Sequence, residues 1–169
     1  MADEQQQPQA NGPATDPNAP QFSPQAVYLK DLSLESPNGP RVPQNASNPT
    51  INLNLNTKVT DLGGDTREVV LTVHVEAKLA DEKTLWLVEL QQAGAFTVRN
   101  VSQEDLQRLL GVYCPGYLLP YARQTISDVL LKSGFPPFLL PPVNFEALFN
   151  RAASQQAATQ SPEAPPNIN

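Results

Sequence analysis

The chain carries one cysteine and one histidine, Cys114 and His74, side chains that can serve as a nucleophile and its activating base. Cys114 stands in "LLGVYCPGYLLPYAR", Leu109 to Arg123, an amphipathic helical pattern interrupted by a Cys-Pro-Gly step. A reactive thiolate needs a helix N-terminus or a neighbouring cation to lower its pKa. Cys114 falls instead where a first helix ends, and His74 sits mid-way along a strand pattern. A Cys114–His74 dyad would require the fold to join them, so packing is the preferred reading of the thiol. One His and one Cys cannot assemble a metal site of the usual ligand spacing within a subunit. The eight glycines form neither a phosphate-binding P-loop nor a GxGxxG fingerprint. No GxSxG nucleophile elbow is present. These readings point away from an enzyme and call for no cofactor.

The carboxylates are more regular. Asp31, Ser33 and Glu35 alternate, so they share one face of a strand, and Glu89 shares a face of another with Leu87. If those strands adjoin, they create an acidic patch with an apolar spot. A flat sheet offers no cleft for acid–base catalysis, and a solvated face is the plain reading.

Four strands and then helices must position these groups. The strand patterns are Ala26–Ser36, Thr50–Val59, Arg67–Ala80 and Lys83–Arg99, the last with Gly94 marking a bulge. "LGGDT" and "ADEK" are hairpin-sized, so strands two to four are antiparallel neighbours. The long, proline-rich Pro37–Pro49 connection suits a Greek-key return of the first strand. Ser102 and Asp105 open a helix that Pro115 should end, because the residue before proline avoids the α region. A second helix follows over about 116–132, with Leu118, Ala122, Ile126, Val129 and Leu130 on one face. An extended "SGFPPFLLPPVNF" crossing leads to a last helix capped by Asn144. The order of elements predicts an α+β fold, a four-stranded antiparallel sheet with C-terminal helices packed on one side.

Residues 1–23 and 153–169 are rich in Gln, Pro and Ala and carry little to bury, so both read as disordered tails around one domain over 24–152. The net charge of −6, without a Lys/Arg cluster, argues against nucleic acid and anionic membranes. The first residues lack a basic and apolar signal pattern, and no apolar run reaches the ~18 residues of a membrane span. A cytoplasmic setting is expected, and the lone cysteine fits a reducing compartment.

The apolar inventory exceeds what one sheet with helices on one side can hide: Tyr28, Leu32 and Leu34, then Trp86, Val88 and Leu90, then Phe135, Phe138, Leu139 and Leu140. Such a surplus predicts oligomerisation together with an apolar recognition surface.

The strings "VYLKDLSLESPNGP", "LWLVELQQAGAFTV" and "LLGVYCPGYLLPYARQTISDVLLKSGFPPFLLPPVNFEALF" strongly resemble the SecB protein-export chaperone family over about residues 25–151. The resemblance implies a homotetramer, a dimer of dimers with sheets outside and long helices between the dimers. It implies capture of unfolded precursor proteins without ATP and delivery to the translocase motor SecA. It carries motor binding to Asp31, Glu35, Leu87 and Glu89, the acidic strand face derived above. For the client-binding groove, Ile51, Leu53, Leu55, Trp86, Tyr113, Phe138 and Leu139 are expected. Two alternatives compete, an enzyme using Cys114 and a specialised SecB-like chaperone of a toxin–antitoxin system.

Overall fold

Alternating apolar and polar residues build four long strands, β1 (Gln21–Glu35), β2 (Thr50–Gly63), β3 (Thr66–Lys78) and β4 (Thr84–Arg99). In this computed structural model, which describes residues 18–40 and 49–159, they form one antiparallel sheet in the order β1-β4-β3-β2. The β2–β3 hairpin turns on Gly63 and Gly64, whose φ angles of 98° and 59° favour glycine. Asp61 Oδ1 accepts the Gly63 N–H there at 2.7 Å. β1 returns beside β4, as its long connection to β2 predicted.

The register of β1 on β4 slips twice, between Pro24 and Ala26 and between Leu29 and Asp31. Each extra residue reverses which side chains face inward. Val27 therefore packs on the same core as Leu32 and Leu34 despite the change from odd to even numbering. The bulge expected at Gly94 is corrected: β4 holds its register there against both Val27 and Val69. Gly94 instead provides room, since a Cβ would lie 2.8 Å from the Phe96 ring and 3.0 Å from Leu118 Cδ2.

Ser102 caps α1 (Gln103–Arg108) as expected, its Oγ accepting the Asp105 N–H at 3.1 Å. The expected helix end at Pro115 is also corrected. A π-helical turn, Leu109–Tyr113, carries the chain straight into α2 (Cys114–Lys132), and Cys114 is helical at φ −61° and ψ −50°. The Cys114 N–H bonds back to the Leu109 carbonyl, one residue further than in an α-helix. That wider turn brings Pro115 into the first turn of α2, where its missing N–H costs no α-helical bond.

Cys114, Leu118, Ala122, Ile126 and Leu130, each four residues apart, are fully buried where α2 crosses β3 and β4. They meet Val69, Leu71, Val73 and Val75 of β3 with Val88 and Leu90 of β4. Each such side chain contributes about 1.5–3 kcal/mol by leaving water. Phe135 and Leu140 pin the extended crossing to this core. α3 (Phe145–Thr159) follows, with Asn144 Oδ1 accepting the Ala147 N–H at 2.9 Å. Ordered elements thus pass the 24–152 bounds at both ends. β1 begins at Gln21, with Phe22 stacked on Phe96, and α3 runs to Thr159. The remaining tail residues, 1–17 and 160–169, lie outside the described residues.

Candidate functional site

Cys114 and His74 do not meet. Cys114 is buried in the core on the helix side of the sheet, and its thiol is pushed up to about 12 by desolvation. His74 stands on the opposite face, half-exposed, with Nδ1 3.0 Å from Glu89 Oε1. A thiol that stays protonated at neutral pH and has no base beside it is a packing group. Among the described residues no group of three or more His, Cys, Asp or Glu could hold a metal ion. No described helix is long and apolar enough to cross a membrane.

The outer face of the sheet brings the acidic residues together. β1 lies against β4 with Asp31 opposite Gln91, Ser33 opposite Glu89 and Glu35 opposite Leu87. Directly opposed side chains sit about 4.5–5.5 Å apart at Cβ. Asp31, Glu35, Leu87 and Glu89 therefore form one patch, with three exposed carboxylates around a partly exposed leucine. The patch depends on the Lys30 bulge, because without it Asp31 and Tyr28 could not both face outward.

A second outer-face cluster fastens the edge strand. Glu68 on β3 is buried and accepts hydrogen bonds from Tyr28 Oη and, at 2.7 Å, from Lys30 Nζ. Those residues reach across β4, whose small Ala93 and Ala95 stand between them. The Lys30 ammonium first and the Tyr28 hydroxyl second hold the Glu68 carboxyl below its usual range. The same bond to Glu68 raises the Tyr28 hydroxyl to about 12.

The inner face carries the apolar surface. Ile51, Leu53 and Leu55 alternate along edge strand β2, opposite Ala77, Val75 and Val73. Leu53 and Leu55 line a 430 Å³ groove with Pro141, Pro142 and Val143 of the crossing and Leu148 of α3. It continues as a 440 Å³ hollow past Leu110, Gly111, Phe145 and Phe149. Phe138 packs on Trp86 with ring centroids 5.6 Å apart, and Leu139 is 72% exposed.

Of the seven residues expected in the groove, Leu53 and Leu55 line it, whereas Ile51, Trp86, Tyr113, Phe138 and Leu139 are not among its lining residues. Trp86 is a core residue, 5% exposed, because Phe138 covers it. Tyr113 is exposed but lines a separate 680 Å³ hollow with Pro20, Phe22 and Leu109. Leu148 and Phe149 of α3 were missed because α3 reads only as a short amphipathic helix. Their spacing of three and four residues from Phe145 was the available signal. His74 was read only as a strand histidine, although it shares its outward parity with Glu76.

Comparison with known proteins agrees with this architecture. The family model described as "Preprotein translocase subunit SecB" matches residues 15–156. Proteins named "Protein-export protein SecB" match over most of their length. That of Pseudomonas aeruginosa is 43% identical over 91% of this chain and 95% of its own. That of Chromobacterium violaceum is 49% identical over 82% and 91%. Among solved structures, the Mycobacterium tuberculosis Rv1957 SecB-like chaperone, in complex with a ChAD peptide from the Rv1956 HigA1 antitoxin, aligns with TM-score 0.61. It covers 72% of this chain and 90% of its own at 16% identity, a likeness of fold alone. With the antiparallel sheet, the long helix on its inner face and the family match across most of its length, the chain belongs to the SecB family.

Proposed function

We propose that this protein is an ATP-independent export chaperone. It holds unfolded precursor proteins in the apolar groove beneath α3 and hands them to the motor SecA through the acidic outer face. The observation that carries this reading is the division of labour between the two faces of one sheet. Leu53 and Leu55 lie on the inner side. Asp31, Glu35, Leu87 and Glu89 lie on the outer side. Client and motor can therefore be bound at once.

An unfolded client offers apolar side chains along an extended backbone, and the groove buries them at about 25 cal/mol per Å². A folded client has hidden those groups. Among the described residues the protomer still exposes twelve large hydrophobics, including Tyr113, Tyr117, Tyr121 and Leu131 along the helices. This surplus supports assembly as a cytoplasmic homotetramer, a dimer of dimers, in which several weak grooves act together. Asp31, Glu35, Leu87 and Glu89 are proposed to contact SecA. Ile51, Leu53, Leu55, Phe138 and Leu139 are proposed for clients, with Trp86 supporting Phe138 from beneath and Tyr113 extending the apolar surface elsewhere.

The test is a three-component experiment by native mass, mixing the chain with a slow-folding precursor and SecA. The expected result is a ternary complex that Asp31→Lys reduces to chaperone and precursor. A variant that loses the precursor but keeps SecA would reverse the assignment of the faces. Strong binding to one antitoxin peptide, with no binding of unrelated unfolded proteins, would favour the specialised chaperone.

A further inference from the structure

One row of outer-face residues crosses all four strands. Ser33, Glu89, His74 and Asn54 stand directly opposite one another on β1, β4, β3 and β2. His74 Nδ1 and Glu89 Oε1 are 3.0 Å apart. With Glu89 ionised, Nδ1 carries the hydrogen and donates it, which fixes the imidazole tautomer.

The neighbours of His74 define its role. From β4 it faces Glu89, with Leu87 and Gln91 diagonal to it. From β2 it faces Asn54, with Asn52 and Asn56 diagonal. Along β3, Thr72 and Glu76 share its face, and beyond β4 lie Ser33, Asp31 and Glu35. Glu76 already accepts from Thr84 Oγ1 at 2.8 Å and pairs with Lys78 Nζ at 3.6 Å. Glu89 is therefore the carboxylate that His74 holds.

We propose that His74 is a positioning residue of the motor-docking face, holding the Glu89 carboxylate oriented for a basic partner segment. The inference rests on the reading of this face as the SecA site. An exposed pair of this kind shifts affinity about two- to fivefold.

The experiment measures SecA binding by the full chain and compares the wild type with His74→Asn, His74→Thr and Glu89→Gln. Threonine favours strands, so His74→Thr guards against misfolding, and asparagine keeps an N–H donor close to the Nδ1 position. Expected is an affinity about two- to fivefold below wild type for His74→Thr, largely restored in His74→Asn. Glu89→Gln is expected to bind weakly. If His74→Thr binds as the wild type does, or His74→Asn loses as much as His74→Thr, while Glu89→Gln still weakens binding, the inference falls and the docking reading stands. If Glu89→Gln and Asp31→Lys both leave binding unchanged, the docking reading falls and takes the inference with it.

Discussion

Gly111 lies beneath the ring of Phe149, so close that a β-carbon there would come within 2.6 Å of Phe149 Cδ2. The contact joins the π-helical turn to α3 and closes the floor of the apolar groove. Alanine would favour the helix over glycine by about 1 kcal/mol, but it would push the ring away. Gly111→Ala is expected to change global stability by less than about 1 kcal/mol while speeding hydrogen exchange of α3 amides. Unchanged exchange in α3 would show that the ring is not a fastening point.

Charge reversal separates the two faces of the sheet. Asp31→Lys or Glu35→Lys is expected to weaken SecA binding about three- to tenfold, with client affinity unchanged. The loss should shrink as salt is raised, since the exposed charges are screened. Client on-rates for basic precursors should also fall with salt, because the proposed assembly would multiply the −6 charge of each chain. Titrations with SecA and with an unfolded precursor over a salt series check both statements.

Cys114 should be silent. Its buried thiol, raised to about 12, stays protonated at neutral pH. Thiol-specific reagents should label native protein far more slowly than unfolded protein, and Cys114→Ala should retain client capture. Rapid labelling of the native state, or lost capture by a variant that remains folded, would restore the nucleophile reading.

Glu68 predicts part of the acid sensitivity. Its folded carboxyl is held below the usual carboxylate range by Lys30 and Tyr28, so the folded state favours the ionised form. That stabilisation is complete above the ordinary carboxylate pKa and is lost as pH falls through the depressed folded value. Glu68→Gln should therefore flatten stability against pH in the acid range, as read by denaturant unfolding. A parallel curve for the variant would show that the cluster contributes nothing.

Much of this was legible in the residues. Period-two alternation located β2 and β3, hairpin-sized turns set their pairing, and alternation put Asp31, Ser33 and Glu35 on one strand face and Leu87 and Glu89 on another, which the β1–β4 pairing joins. What escaped depends on packing between distant segments. The Lys30 bulge reverses parity within an apparently alternating strand, and alternation alone cannot locate an extra residue. The helix through Cys114-Pro115 defied a local rule because a π-turn relieved it. Trp86 looked like groove lining because nothing nearby in sequence shows that Phe138 covers it.

Exposed apolar side chains of the crossing and of α3 offer a further check. Leu139→Asp combined with Leu148→Asp alters side chains that are 72% and 41% exposed, so the fold should survive. Client affinity should fall about tenfold, consistent with the loss of one or two buried apolar groups. Circular dichroism confirms folding, and competition with a labelled unfolded precursor reads the affinity.

The most direct measurement compares the affinity of the wild-type chain for one slow-folding precursor in its unfolded and its folded form, without nucleotide. Tight capture of the unfolded form and no detectable capture of the folded form is the predicted result. Equal affinity for both, or none for either, would contradict the assignment of the inner groove to nonnative chains.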